Sequence, residues 1–133
     1  MDLQNEKCVM VIDENLPLGI IANTAAVMGI TIGKQMPEVV GSDVIDQTGN
    51  QHLGIIEFPV PILKGTPELI KEIREKLYQP EFQDLAVVDF SDLAQGCKTY
   101  DEFIKKWIKR KFFLEVLQKQ KKQWKILHIY CKY

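Results

Sequence analysis

Two aspartates, Asp13 and Asp89, are the residues whose type and position most suggest chemistry in this sequence. Each lies at the end of a short apolar run, 7–13 and 85–90, of the kind found in strands that are covered on both faces. If the two strands are adjacent and parallel, both carboxylates emerge at the sheet edge where α/β proteins usually bind ligands. Such a pair can act as acid and base. Together with Thr99, which follows the second aspartate in the chain, the expected catalytic set is Asp89, Thr99 and Asp13. The alternative is that each aspartate only accepts hydrogen bonds from neighbouring loop or helix-start N–H groups.

Further polar residues are predicted to line the same cleft. Asn23 lies on an otherwise apolar helix, and a buried amide needs hydrogen-bond partners, which a site beside the first aspartate would supply. Ser91 and Gln95 follow the second aspartate and are expected to contact a ligand together with Asn23. A structural hydrogen bond to a loop is the alternative for Asn23, and helix capping alone is sufficient to explain Thr99.

Histidines and cysteines do not suggest a metal or cofactor site. His52 and His128 are far apart in the sequence, and neither has a second His or Cys at metal-binding spacing. Cys8, Cys97 and Cys131 form no disulfide framework. We therefore expect no cofactor and a cytoplasmic location.

The composition is that of one soluble domain. The chain has 133 residues, of which 46% are hydrophobic and 26% charged. The apolar run 18–33 contains polar residues and is short for a membrane span, and the acidic N-terminus does not resemble a secretory leader. A single domain over 1–133 without a membrane partner is expected.

Charge is distributed unevenly along the chain. Residues 1–97 contain 6 basic and 15 acidic residues, a net charge of −9, whereas residues 98–133 contain 11 basic and 3 acidic residues, a net charge of +8. This asymmetry is compatible with RNA binding, or with packing of a basic segment on the acidic body of the same chain or of a second copy. The strongest concentration is a basic cluster beside Trp107, formed by Lys105, Lys106, Lys109, Arg110 and Lys111.

The stretch 7–33 is predicted to organise the fold. Pro17 suits the first turn of a helix over 18–33, and Gly33 is suited to end it. The helix is so apolar that we expect it to be buried on all sides. Its small residues fall at spacings of three to four and allow another backbone to approach closely: Ala22, Ala26, Gly29 and Gly33.

The middle of the chain reads as a hairpin followed by an edge strand. Two short apolar runs, 43–46 and 52–58, flank Gly49 and Asn50, which both tolerate a positive φ. Two prolines then place residues 60–63 at a sheet edge or in a crossover.

Two helices with clear start signals follow. Thr66 and Pro67 open an amphipathic helix, and Thr99 with Glu102 forms a capping-box pattern before another. The final KILHIYC, 125–131, is either a last strand or an ordered tail. The element order predicts an α/β fold, a three-layer α/β/α domain with a small mixed sheet of about four strands.

Three segments together resemble a known family: KCVMVIDENLPLGIIANTAAVMGITIG, DQTGNQHLGIIEFPVPILKG and VVDFSDLAQGCKTYDEF. Their order and spacing are similar to those of the bacterial family catalogued as "domain of unknown function 2000". The resemblance covers 7–108 and implies a fold like that of peptidyl-tRNA hydrolase II. The basic C-terminal segment, 109–133, does not follow the family's usual ending.

Peptidyl-tRNA hydrolase II hydrolyses the ester that joins a peptide to tRNA, and its motif matches this sequence only in part. The family's aspartate and threonine correspond to Asp89 and Thr99. Its lysine-bearing turn falls on Gly19-Ile20-Ile21, which has no lysine to stabilise a phosphate or an oxyanion. The resemblance therefore implies the fold but not the standard activity.

Two hypotheses about function remain at the level of the sequence. The first is a protein with a ligand-binding or hydrolase-like cleft at the strand ends. The second is a non-enzymatic RNA-binding or assembly module that uses the basic cluster. The expected partners are a small ligand of unspecified kind and a second copy of the chain, with RNA as an alternative.

Overall fold

The computed structural model describes residues 7–91 and 96–108 with side chains, and residues 127–132 as backbone. The strands are β1 (Lys7–Asp13), β2 (Val44–Ile45), β3 (Gln51–His52), β4 (Ile62–Gly65), β5 (Ala86–Phe90) and β6 (Leu127–Lys132). The helices are α1 (Leu18–Gln35), α2 (Pro67–Leu77) and α3 (Tyr100–Ile108), with short 3-10 turns at Pro37–Val39 and Pro80–Phe82. The fold is therefore α/β, as predicted.

A four-stranded mixed sheet with the order β4-β1-β6-β5 forms the centre of the molecule. β1 is parallel to the edge strand β4 and antiparallel to β6, and β6 is also antiparallel to β5. β1 and β5 consequently run in the same direction, but β6 lies between them. The final segment is thus a central strand, and the expectation that the two aspartate-bearing strands are neighbours is wrong.

The two faces of β1 pack against different helices. Cys8, Met10 and Ile12 belong to the main core, which also contains Met28 and Ile32 of α1. The alternate residue Val11 packs against Ile70 of α2, which is completely buried. Helices therefore contact both faces of the sheet, as the continuous apolar run of β1 indicates.

The local signals for the hairpin turn and for the helix starts are confirmed. β2 and β3 form an antiparallel hairpin whose turn contains Gly49 at a φ of +89°. Thr66 caps α2 by accepting a hydrogen bond from the Leu69 N–H at 3.2 Å. The helix α1 starts after Pro17, but the prediction that Gly33 ends it is wrong, because the helix continues to Gln35.

The prediction that α1 is buried on all sides is wrong. Only Thr24, Met28 and Ile32, spaced by four residues, are fully buried on this helix. Leu18 and Ile30 are 81% and 75% exposed. The helix therefore packs one stripe against the sheet and leaves an uncharged apolar face uncovered. No helix among the described residues is long and apolar enough to cross a membrane.

Candidate functional site

An open cleft of about 400 Å³ lies at the carboxyl ends of the parallel strands β1 and β4. Its size is within the range of small-molecule sites, and α/β proteins commonly bind ligands at this end of their strands. The residues that line it come from β1, the turn that follows, α1 and β4: Ile12, Asp13, Glu14, Asn15, Ile21, Ile62, Leu63 and Lys64.

The turn after β1 is held in place by the first aspartate. Asp13 is only 2% exposed, and its Oδ1 accepts a hydrogen bond from the Asn15 N–H at 2.9 Å. The Asp13 carbonyl accepts from the Leu16 N–H at 3.3 Å, and the Glu14 N–H donates to the Gly65 carbonyl at 3.0 Å. These bonds fasten the turn to the end of β4, so the wall of the cleft is preorganised.

Charges of both signs lie beside an apolar floor in this cleft. Ile12, Ile21 and Ile62 supply hydrocarbon, and the exposed side chains of Lys64 and Glu14 supply the charges. Within residues 7–91 and 96–108, neither of these two charged groups forms an ion pair. Both side chains are exposed on the described part of the chain, so a ligand in the cleft can reach them.

The second aspartate has a different environment. Asp89 Oδ2 accepts a hydrogen bond from Arg74 Nε at 2.9 Å, and the two side chains are only 16% and 15% exposed. The guanidinium of Arg74 also lies 3.8 Å from the ring centroid of Tyr78. Burial raises the pKa of the Tyr78 hydroxyl, and the positive charge of Arg74 partly opposes this rise. Asp89 is thus part of an ion pair that joins β5 to α2.

Asp13 and Asp89 reach the same end of the sheet, but the structure does not bring them together. Through β6, Asp89 is in register with Val11, two residues before Asp13. Two strand spacings across and two residues along the strand correspond to a backbone separation of about 12 Å. A carboxylate pair that shares a proton must be in direct contact, so this arrangement does not form one.

The other predicted site residues are dispersed. Asn23 is exposed on α1, so it is not the buried amide that the sequence suggested, and Ser91 is 1% exposed beyond β5. Thr99 Oγ1 accepts from the Glu102 N–H at 3.2 Å, which confirms the helix-cap explanation. None of these three residues lines the cleft. Gln95 lies outside the described residues.

Sequence reasoning identified Asp13 but missed most of its neighbours in the cleft. Ile62 and Lys64 become lining residues because β4 pairs in parallel with β1, with Met10 opposite Ile62 and Ile12 opposite Lys64. The sequence offered one signal for Lys64 as a site residue, since Lys64 and Gly65 lie directly before Thr66 and Pro67, which open α2.

Metal and polyanion sites have little support in the described residues. Among residues 7–91 and 96–108, no group of three His, Cys, Asp or Glu side chains could hold a metal ion. In the basic cluster, Lys106 forms an ion pair with Glu102 at 2.6 Å, and this contact lowers the pKa of Glu102. Lys109, Arg110 and Lys111 lie outside the described residues, so RNA binding stays a prediction.

The fold and the cleft define the chain as a small α/β protein with a candidate ligand site at its strand ends. The family described as "Protein of unknown function (DUF2000)" matches residues 6–111. The chain belongs to this family, which confirms the resemblance noted from the sequence.

A solved structure has a similar fold. It is the protein of unknown function Atu0240 from Agrobacterium tumefaciens strain C58, with a TM-score of 0.76 and 12% sequence identity. The match covers 95% of this chain and 86% of that one. No curated protein matches the chain.

Proposed function

We propose that the strand-end cleft binds a small zwitterionic molecule with an apolar body, the chemistry of an apolar amino acid. The observation that carries this proposal is the combination of an isoleucine floor with Lys64 and Glu14, which are both exposed and unpaired within the described residues. The Lys64 ammonium is suited to a ligand carboxylate, and Glu14 to a ligand ammonium group.

The charge balance of the cleft favours such a ligand over a polyanion. The lining contains one basic residue, Lys64, and two acidic residues, Asp13 and Glu14, which is a formal charge of −1. A triphosphate or a nucleic-acid backbone would be repelled by this sign. Apolar burial on Ile12, Ile21 and Ile62 would supply most of the affinity, and the charged groups would supply orientation.

Binding rather than hydrolysis is the activity that we propose. The Arg74–Asp89 ion pair engages the residue that the family resemblance suggested as a base. Gly19-Ile20-Ile21 also carries no lysine where peptidyl-tRNA hydrolase II has one. A three-layer α/β/α arrangement like that of peptidyl-tRNA hydrolase II, and a cytoplasmic location, belong to the same proposal. The first is supported by helices that contact both faces of the sheet.

A comparison of matched ligands tests the proposal. Leucine, isoleucine and phenylalanine should bind, whereas leucinamide, which lacks the carboxylate, and 4-methylpentanoate, which lacks the amine, should each bind at least about tenfold more weakly. Isothermal titration calorimetry or ligand-observed NMR measures the difference.

The matched protein variants are Lys64→Gln, in the cleft, and Lys34→Gln, at the opposite end of α1. Lys64→Gln should remove the preference for leucine over leucinamide, and Lys34→Gln should preserve it. The proposal is wrong if no zwitterion binds, or if the two variants behave alike.

A further inference from the structure

A hairpin arm, defined here as residues 41–56, projects from the fold with apolar side chains that nothing among the described residues covers. Residues 42–53 are all exposed, although the arm contains β2, β3 and several large apolar side chains. The exposed fractions are 60% for Val44, 74% for Ile45, 80% for Leu53 and 81% for Ile55. Large apolar side chains left exposed together on one element mark interaction sites.

The arm is preorganised by its own polar groups. Asp46 Oδ1 accepts hydrogen bonds from the Thr48 N–H at 2.8 Å and from the Asn50 N–H at 3.0 Å. Asp43 accepts from the Gly54 N–H at 2.8 Å and from the Gln51 amide at 2.8 Å. The two carboxylates of the arm thus hold the hairpin together, and its large apolar side chains are left exposed beside its polar ones.

The base of the arm is fixed against the rest of the chain. Val40 and Ile56 form an isolated β-bridge, and the strands at the base approach so closely that a Cβ on Gly54 would collide with the Gly41 carbonyl. Val40 and Ile56 also line an apolar cavity of about 160 Å³ together with Gly29 and Gly33 of α1. The arm therefore leaves the body beside the C-terminal half of α1.

The exposed side of α1 is the second uncovered apolar surface, and we call it the α1 outer face. It contains Leu18, Gly19, Ala22, Asn23, Ala26, Gly29 and Ile30, and no charged residue occurs between positions 18 and 33. Its composition is symmetric about position 24, because Leu18 and Ile30, Gly19 and Gly29, and Ala22 and Ala26 are equally spaced from it. Two such helices can pack antiparallel, with each large side chain opposite a large one and the small residues at the crossing.

We propose that two copies of this chain form a two-fold dimer through these two surfaces. α1 packs antiparallel on α1 of the second copy, so that Leu18 meets Ile30 of the second copy. Because the arm leaves the body beside the C-terminal half of α1, it then lies along the N-terminal half of the second copy's α1. The cavity at the arm base has room for one apolar side chain of the second copy, since a cavity of about 150 Å³ holds a benzene-sized group.

The area available is adequate for a stable interface. Val44 and Ile45 are consecutive residues of β2, so their side chains point to opposite faces of the hairpin and only one of them can lie in the same interface as the α1 outer face. The remaining large apolar side chains, Ile45, Leu53 and Ile55 on the arm and Leu18 and Ile30 on α1, are 74–81% exposed. At roughly 100 Å² of apolar surface for each fully exposed side chain, these five contribute on the order of 400 Å² per copy, about half of the ~800 Å² per partner in a standard interface, before backbone and small side chains are counted. Self-complementary surfaces of this kind favour a second copy over a charged partner.

Analytical ultracentrifugation of the full chain tests the proposal. The wild-type protein should sediment with twice the mass of 15.3 kDa. Ile30→Glu, on the α1 outer face, and Ile55→Glu, on the arm, should each raise the dimer dissociation constant at least about tenfold, because each would bury an unpaired carboxylate. Ile108→Glu is the matched control, since Ile108 is 78% exposed on α3, and it should leave the dissociation constant unchanged.

A second variant separates loss of the dimer from loss of the fold. Gly29→Gln places a side chain where, apart from the adjacent backbone of α1, no atom of the described residues lies within 4 Å of the new Cβ, so the folded monomer should persist by circular dichroism. The same side chain would obstruct the approach of the second helix, and the dimer should dissociate. A monomeric wild-type protein, or equal dissociation constants for Ile55→Glu and Ile108→Glu, would overturn the proposal.

Discussion

The ion pair between Arg74 and Asp89 provides a quantitative test of whether the second aspartate is structural. The substitution is Arg74→Met, which keeps a long apolar side chain on α2 but removes the charge that faces Asp89. Breaking a fully buried ion pair costs about 3–5 kcal/mol, whereas exposed pairs contribute about 0–1 kcal/mol. Since these side chains are 15% and 16% exposed, we expect a cost of about 2–3 kcal/mol.

Loss of the contact between Arg74 and the Tyr78 ring adds about 0.5–1 kcal/mol to this figure. The total of about 3 kcal/mol is a large part of the 5–15 kcal/mol that typically stabilises a domain. For a chain of this length it corresponds to a decrease in Tm of about 10 °C. Urea-induced unfolding followed by circular dichroism measures the free energy directly.

A control on the same helix makes the result specific. Lys76 and Glu72 are 3.5 Å apart and 70% and 65% exposed, so Lys76→Met should change the free energy of unfolding by less than about 0.5 kcal/mol. Combining Arg74→Met with Asp89→Leu should recover most of the stability, because apolar replacement of both partners also removes the buried carboxylate that has lost the guanidinium. Equal stabilities for Arg74→Met and Lys76→Met would refute the reasoning.

Two further predictions concern the core and the arm. Thr24 is fully buried, and its hydroxyl has no hydrogen-bond partner in the part of the chain that the structure describes. Thr24→Val should therefore stabilise the protein by about 1 kcal/mol. The control is Thr31→Val at an exposed position of the same helix, which should have little effect. The pKa of Asp46 is lowered, chiefly by the hydrogen bond from the Thr48 hydroxyl and then by those from His52 and Asn50. A lowered pKa stabilises the arm above the ordinary value of 3.8, and this effect is lost as the pH falls through the lower pKa of the folded state. The NMR chemical shifts of the Thr48 and Asn50 amides should therefore show no carboxylate titration near the ordinary value of 3.8 and should change only under stronger acid. Asp46→Ala should produce the same change at neutral pH.

Local structure could largely be predicted from the sequence because its signals are local. Gly49 specified the hairpin turn, and Thr66 and Thr99 specified helix starts through hydroxyl groups that accept from N–H groups three residues later. Each of these features depends on a few consecutive residues. Neither the number of residues between two elements nor the elements that finally pack together affects these local features.

The sheet order could not be predicted because it depends on pairing over long sequence distances. β6 pairs with β1 across more than 100 residues, with Lys7 opposite Lys132, and no local signal in KILHIYC indicates this partner. Because β6 lies between β1 and β5, it separates Asp13 from Asp89, and the two aspartates cannot form an acid–base pair. The parallel pairing of β4 with β1 is similarly non-local, and it is this pairing that brings Lys64 to the cleft.

The apolar sequence of α1 is compatible with two kinds of burial. A run of apolar and small residues is typical of a helix buried within its own chain, but the same pattern is expected of a helix that packs against a second copy. Ile30 and the small residues that flank it distinguish these alternatives only once their exposure is known. In the dimer that we propose, the apolar outer face of α1 serves assembly rather than the core.

Chemical-shift mapping of the backbone amides during titration with leucine tests the central claim most directly. If the cleft is the ligand site, the largest shifts should occur at Asn15, Ile21 and Lys64, which surround it on three separate elements. The amides of Arg74 and Asp89, which lie at the ion pair, should change little. Saturable shifts centred on Asp89, or no saturable shifts at the strand ends of β1 and β4 with any zwitterion tested, would contradict the account.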